Sequence, residues 1–75
     1  MAHPNWEHLA GPRGHSDYSP GDFIAFDEQG KTLQGEVLWI AAPHQTATGC
    51  HAPTTYYVDC DDGWPHIVYA SQIKA

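Results

Sequence analysis

One stretch of the sequence constrains the fold of this chain more than any other. It covers residues 56–73 and reads YYVDCDDGWPHIVYASQI. A β-rich run ends at the tripeptide 61–63, Asp-Asp-Gly, which is typical of a tight turn because Asp and Gly tolerate the left-handed backbone region. A second β-rich run follows, and small residues then form a corner before Ile73. The pattern predicts a hairpin and the closing corner of a very small barrel.

Size and charge narrow the range of partners. The 75 residues carry a net charge of −6, and a chain of this length makes one domain near the lower limit for a stable core. The fixed cations are only Arg13, Lys31 and Lys74, too few and too scattered to neutralise a phosphate backbone. We therefore expect no nucleic-acid binding and a basic or neutral protein or peptide partner instead.

The first twenty residues contain no apolar run that would suit a secretory or membrane segment. We therefore expect a soluble cytoplasmic protein that does not bind membranes.

The chain divides into an irregular segment, residues 1–19, and a β-rich domain, residues 20–75. Proline and glycine interrupt the first segment, although Asn5 could cap one helical turn that ends at Gly11. Two interpretations of this segment stay open. It is a frayed, partly disordered tail, or its Trp6, Leu9 and Tyr18 lie across the barrel.

Apolar alternation predicts strands at residues 23–26, 33–42, 55–60 and 64–69, with a short final strand at Ile73 and a long loop at 44–54. It predicts an inward-facing set: Ile24, Phe26, Val37, Trp39, Tyr56, Val58, Cys60, Val68 and Ile73. The opposite face is apolar as well: Phe23, Leu38, Ile40, Tyr57, Ile67 and Tyr69. We expect the amino-terminal segment, barrel curvature or a second copy of the chain to cover that face.

The β-rich domain resembles the Tudor-like members of the SH3-like barrels. The similarity rests on an opening Gly-Asp followed by alternating apolar residues (21–26), on the order Tyr-x-Val-x-Cys-Asp-Asp-Gly (56–63), and on a Ser-x-Ile corner (71–73). The resemblance implies an all-β, five-stranded SH3-like, Tudor-like barrel with an irregular amino-terminal segment. It says less about function, because small barrels carry many activities.

Tudor-like domains often bind methylated lysine or arginine in an aromatic cage. Trp64 matches one cage position, whereas Cys60, Leu33 and Gln34 stand where the other aromatic residues would be. The resemblance therefore implies a methyl-lysine or methyl-arginine reader with an incomplete cage as one alternative function.

A weaker similarity links the chain to the plasmid-borne type II dihydrofolate reductases, which are oligomers of a similar barrel. The shared residues are Gly21-Asp22 and Gln34-Gly35. The pore motif Val-Gln-Ile-Tyr of that family is replaced by residues 66–69, His-Ile-Val-Tyr, and its first-strand lysine by Phe26. An oligomeric enzyme with a site between subunits stays open as the second alternative.

Metal-binding and catalytic patterns are weak in this sequence. His44, Cys50 and His51 lie at one end of the predicted hairpin and Cys60 and His66 at the other, roughly 17–20 Å away at about 3.3 Å per residue. That distance excludes one shared zinc ion and a disulfide between the two cysteines. The aspartates near His66 are better explained by turn chemistry. We predict no catalytic residue, no metal and no cofactor.

Aromatic and acidic residues cluster in the last hairpin. Tyr57, Trp64 and Tyr69, together with Asp61 and Asp62, form a candidate ligand-binding patch on the outer surface, because exposed rings rimmed by carboxylates suit a peptide or subunit interface. The alternative is cross-strand packing that only stabilises the hairpin. We therefore expect a non-catalytic protein- or peptide-binding or assembly module, with a second copy of the chain as one candidate partner.

Overall fold

A computed structural model describes residues 5–45 and 47–74, so the first four residues of the predicted irregular segment lie outside the described residues. The all-β prediction is confirmed: antiparallel strands dominate and the one α-helix is short. In chain order the elements are α1 (Trp6–Ala10), β1 (Phe23–Glu28), β2 (Lys31–Ala41), β3 (His44–Gln45), β4 (His51–Ala52), β5 (Thr55–Asp59), β6 (Pro65–Tyr69), a 3₁₀ turn (Ala70–Gln72) and β7 (Ile73–Lys74). None of the helical residues in the described ranges forms a helix long and apolar enough to cross a membrane.

Two antiparallel sheets make up the fold. Five strands pair in the order β6-β5-β2-β1-β7, and β3 pairs with β4 in a separate two-stranded ribbon. The ribbon lies inside segment 44–54, which we predicted to be a loop without strands. That prediction was wrong at its two ends, where two-residue strands pair in a sequence with little apolar alternation.

The turn between β1 and β2 determines the register of the sheet. Gln29 and Gly30 have φ values of 50° and 79°, the left-handed pair that suits a two-residue hairpin. Strand β1 consequently continues to Glu28, beyond its predicted end at Phe26, and Glu28 lies opposite Lys31.

A β-bulge at Leu38 reverses the side-chain alternation of β2. Val37 pairs with Val58, and the next pair along the strands joins Trp39 to Tyr57, so Leu38 is the extra residue. An inserted residue moves every later side chain to the other face. Our inward prediction for Trp39 and outward prediction for Ile40 were therefore wrong: Ile40 is fully buried and Trp39 is half-buried on the outer face.

The core lies on the inner face of the five-stranded sheet. Phe26, Val37, Val58 and Val68 are fully buried, as the alternation predicted. Tyr56 is buried with them, and its hydroxyl hydrogen-bonds to the Ser16 hydroxyl. The complete apolar cluster contains Ile24, Phe26, Val37, Ile40, Tyr56, Val58 and Val68, with Tyr18, Leu33, Cys60 and Ile73 packed against it.

The predicted corner after β6 is the 3₁₀ turn Ala70–Gln72. The Gln72 side chain accepts a hydrogen bond from the amide of Tyr69 at 2.9 Å and donates one to the carbonyl of Asp27 at 2.9 Å. One amide side chain thus ties the end of β6 to β1, next to the short pairing of β7 with β1.

Residues 11–22 run beside the second half of β2, beyond the reach of β1. The amide of Gly14 donates to the carbonyl of Ile40 at 3.0 Å. The amide of Gly21 donates to the carbonyl of Val37 at 2.7 Å. These bonds pair a stretch of β2 that would otherwise expose backbone donors and acceptors.

Helix α1 lies on the outer face. The Asn5 side chain accepts from the amide of His8, and the helix ends at Gly11, as the sequence predicted. The Trp6 ring meets the Tyr57 ring edge to face, with centroids 5.3 Å apart. The Trp39 indole donates to the carbonyl of Gly11 at 3.1 Å. Part of the apolar outer face is thus covered by the amino-terminal segment, although Leu9 remains 65 % exposed.

Candidate functional site

A row of four residues crosses the outer face of the sheet. Phe23 on β1 lies directly opposite Glu36 on β2, Glu36 lies opposite Asp59 on β5, and Asp59 lies opposite Pro65 on β6. We call these four residues the outer row. Phe23 is 79 % exposed. The outer row thus presents two carboxylates between an exposed ring and an exposed proline.

The two carboxylates of the outer row carry charges of the same sign directly opposite each other. Like charges directly opposite each other destabilise a sheet. Within the described ranges, neither Glu36 nor Asp59 makes an ion pair, whereas Lys74 pairs with Asp27 at 3.3 Å on the far side of β1. The outer row is therefore a site of unrelieved negative charge.

Two open grooves meet at Glu36. One, of about 480 Å³, lies between α1 and β2 and includes Trp6, Glu7 and Leu38 in its walls. The other, of about 430 Å³, is bordered by Phe23, Asp59 and Asp61. Both grooves combine apolar walls with carboxylates. Together they make a continuous path across the outer face, from the start of α1 to the β5–β6 turn.

The close approach of β2 to β5 shapes this path. Gly35 is buried beside Glu36, and a Cβ atom there would lie 2.5 Å from the Asp59 carbonyl oxygen and 2.7 Å from a methyl carbon of Val58. Glycine is needed here because any side chain would push the two strands apart.

The β5–β6 turn projects at the end of the second groove. Asp61 has a φ of 68°, a conformation that Asp tolerates, and its amide donates to the Asp59 side chain at 2.9 Å. Trp64 follows and is 75 % exposed. The predicted turn function of these aspartates is confirmed by these local hydrogen bonds.

His66 closes the open end of the core behind this turn. It faces inward beside Val68, and its ring lies on Phe26 with centroids 6.1 Å apart. Its Nε2 is 2.7 Å from Asp62 Oδ2, and its Nδ1 is 3.1 Å from Glu28 Oε2. Only an imidazolium can donate from both nitrogens. The hydrogen bond to Asp62 is the main cause that raises the pKa of His66, and the bond to Glu28 raises it further. The bond to His66 in turn lowers the pKa of Asp62.

Cys60 lies near this cluster. Burial, together with the charges of Asp62, Glu28 and Asp59, raises the pKa of the Cys60 thiol. A thiol held in its neutral form is a poor nucleophile and a poor metal ligand. Cys50 and Cys60 are both free thiols, and residues 5–45 and 47–74 contain no group of three or more His, Cys, Asp or Glu side chains placed to hold a metal ion.

The structure distributes the five residues of the predicted patch over different surroundings. Tyr57 is half-buried under Trp6, and its partner across β5 and β6 is Ile67. Tyr69 lies opposite Thr55 and is 41 % exposed. Asp62 is paired with His66. Asp61 and Trp64 lie at the exposed turn, where Asp61 lines the groove along the outer row and Trp64 precedes Pro65 in the chain.

Sequence reasoning missed that Glu36 belongs to this surface and that His66 donates a hydrogen bond to Glu28. Both depend on register. Counting back from a two-residue turn at Gln29–Gly30 places Phe23 opposite Glu36, so the turn residues were the available signal. The contact between Glu28 and His66 joins two residues that are 38 positions apart in the chain, so no local pattern predicts it.

Comparison with known proteins adds no relative from which a role could be transferred. No protein-family model, curated protein or solved structure matches this chain.

Proposed function

We propose that this chain is a non-catalytic protein-binding module whose outer row binds a peptide segment rich in arginine or lysine. The guanidinium or ammonium group would lie between Glu36 and Asp59, and the aliphatic stem of the same side chain would pack on Phe23. Arginine suits this site better than lysine because its planar fork can bond two carboxylates and stack on a ring.

One observation carries the proposal: two carboxylates lie directly opposite each other between exposed apolar residues, and neither has a cationic partner among the residues that the structure describes. A ligand cation would remove the repulsion between Glu36 and Asp59 that is present in the free sheet. The relief of this repulsion would add to the free energy of binding. The net charge of −6 supports the same class of partner, because it attracts cationic segments during encounter.

We also propose that the five-stranded sheet is an SH3-like barrel of the Tudor-like kind. The strand order β6-β5-β2-β1-β7 supports this, because the last strand pairs with the first and a single 3₁₀ turn precedes it. Of the positions that correspond to an aromatic cage, Trp64 is aromatic, whereas Cys60, Leu33 and Gln34 are not. We therefore place the ligand on the outer row and not at the cage position.

The test is a titration of the whole chain with a fluorescent hexa-arginine peptide, followed by polarisation at low salt. Glu36→Gln should weaken binding by about tenfold, the effect of losing a charged hydrogen bond worth about 1.5 kcal/mol. Phe23→Ala should also weaken it, because the ring that packs on the arginine stem is lost. Hexa-lysine should bind less tightly than hexa-arginine.

Matched controls separate this site from general charge attraction. Asp17→Asn removes one exposed carboxylate from a loop away from the outer row, so it should change affinity only slightly. If Asp17→Asn and Glu36→Gln weaken binding equally, or if Phe23→Ala has no effect, the proposal is wrong. A trimethyl-lysine peptide tests the cage alternative, and light scattering tests self-association.

A further inference from the structure

We infer that His66 is a pH-sensitive clasp: as an imidazolium it ties the β5–β6 turn to the end of β1, and its deprotonation releases the turn that carries Asp61 and Trp64. The clasp itself is a feature of the fold. Its effect on a ligand rests on the proposed function, because Asp61 of this turn lines the groove along the outer row.

The geometry of the clasp joins two turns through one ring. Asp62 belongs to the β5–β6 turn, Glu28 is the last residue of β1, and both carboxylates meet opposite edges of the same imidazole at 2.7 and 3.1 Å. The His66 side chain is only 16 % exposed. A neutral ring can donate to one carboxylate only and must turn an unprotonated nitrogen toward the other. Loss of the proton therefore breaks one of the two links and leaves one carboxylate facing the lone pair of an unprotonated nitrogen.

The groups around the ring favour its charged form. Asp62 and Glu28 contact it and raise its pKa, whereas its burial acts in the opposite direction. The neighbouring Cys60 thiol stays neutral, Asp59 is the last residue of β5, and Lys31 lies opposite Glu28 in the strand register. Apart from Lys31, these neighbours are acidic or neutral.

The direction of the pH effect follows from these shifts. The pKa of His66 is raised, so the clasp is complete below its ordinary value of about 6.5 and is lost as pH rises through the raised value. The pKa of Asp62 is lowered, so that carboxylate keeps its charge down to below its ordinary value of about 3.9. The clasp is therefore closed below about pH 6.5 and opens as the pH rises through the raised pKa of His66.

Two measurements on the free, full-length chain test the clasp. The imidazole resonances of His66 should titrate at a pH above the ordinary histidine value of about 6.5. Over the same pH range the backbone order parameters of residues 61–64 should fall from about 0.85 to below about 0.6. In His66→Gln these residues should be mobile at every pH, whereas His44→Gln should behave as the parent chain does.

Hexa-arginine affinity provides the functional readout. If the turn contributes to the site, the affinity of the parent chain should fall about three- to tenfold between roughly pH 6 and pH 9. His44→Gln should show the same fall, whereas the affinity of His66→Gln should not change with pH. Order parameters of the turn that do not change while His66 titrates, or a His66 that titrates at or below about pH 6.5, would overturn the clasp. A mobile turn without any peptide binding would support the clasp and refute the proposed function. Peptide binding that does not change with pH, together with a turn that stays rigid, would refute the clasp and support the proposed function.

Discussion

The unbalanced pair of carboxylates predicts that a mutation can stabilise the fold and weaken its function together. Glu36 and Asp59 lie directly opposite each other, so their Cβ atoms are about 4.5–5.5 Å apart. Two unit charges about 5 Å apart in water repel by about 0.8 kcal/mol, within the range of about 0.2–1 kcal/mol for cross-strand pairs. Glu36→Gln or Asp59→Asn should therefore raise the free energy of unfolding by about that amount.

Thermal unfolding followed by circular dichroism measures this gain. For a chain of this size, about 0.8 kcal/mol corresponds to a rise in Tm of roughly 3–6 °C. The gain should shrink in about 1 M salt, which screens exposed charges beyond about 3 Å. The double variant, Glu36→Gln with Asp59→Asn, should gain little over either single variant, because the first substitution already removes the repulsion.

Asp17→Asn is the matched control for net charge. It should shift Tm much less, since no carboxylate lies opposite it in a strand register. A loss of stability in Glu36→Gln would refute the reasoning, and so would a gain that is the same at low and high salt. Equal gains in Glu36→Gln and Asp17→Asn would assign the effect to net charge alone.

Two further predictions concern packing. Gly35→Ala should lower the free energy of unfolding by about 1–3 kcal/mol in denaturant titrations, because its Cβ would overlap the Asp59 carbonyl. Gln34→Ala changes an exposed neighbour and should alter the free energy of unfolding by no more than about 0.5 kcal/mol. Equal effects of the two substitutions would contradict the close approach of β2 to β5. Trp6→Ala should lower the free energy of unfolding by at least about 0.5–1.5 kcal/mol, the contribution of one aromatic pair, whereas Leu9→Ala should lower it little. If Trp6→Ala leaves the free energy of unfolding unchanged, α1 does not stabilise the outer face.

Local chemistry made much of this fold predictable. The Asp-Asp-Gly turn, the helical turn capped by Asn5 and the corner before Ile73 all follow from backbone preferences of a few adjacent residues. The alternation in β1, β5 and β6 identified most of the core, because each strand has one buried face.

Events that involve distant residues escaped prediction. The bulge at Leu38 depends on how β2 pairs with β5. Because the sequence Val37-Leu38-Trp39-Ile40 is apolar throughout, it shows no alternation from which the inserted residue could be predicted. The candidate site escaped for a related reason. Asp61 was recognisable as a turn residue, but only the pairing of the strands brings it into one groove with Glu36.

Chemical-shift mapping tests the central claim, that the outer row binds a cationic peptide, most directly. The backbone and side-chain resonances of the full chain would be followed by NMR while hexa-arginine is added at low salt. We predict the largest shifts at Phe23, Glu36 and Asp59, with small shifts in the β3–β4 ribbon. Shifts concentrated in the ribbon or on the exposed carboxylate of Asp17, or shifts spread evenly over all acidic residues, would contradict the claim.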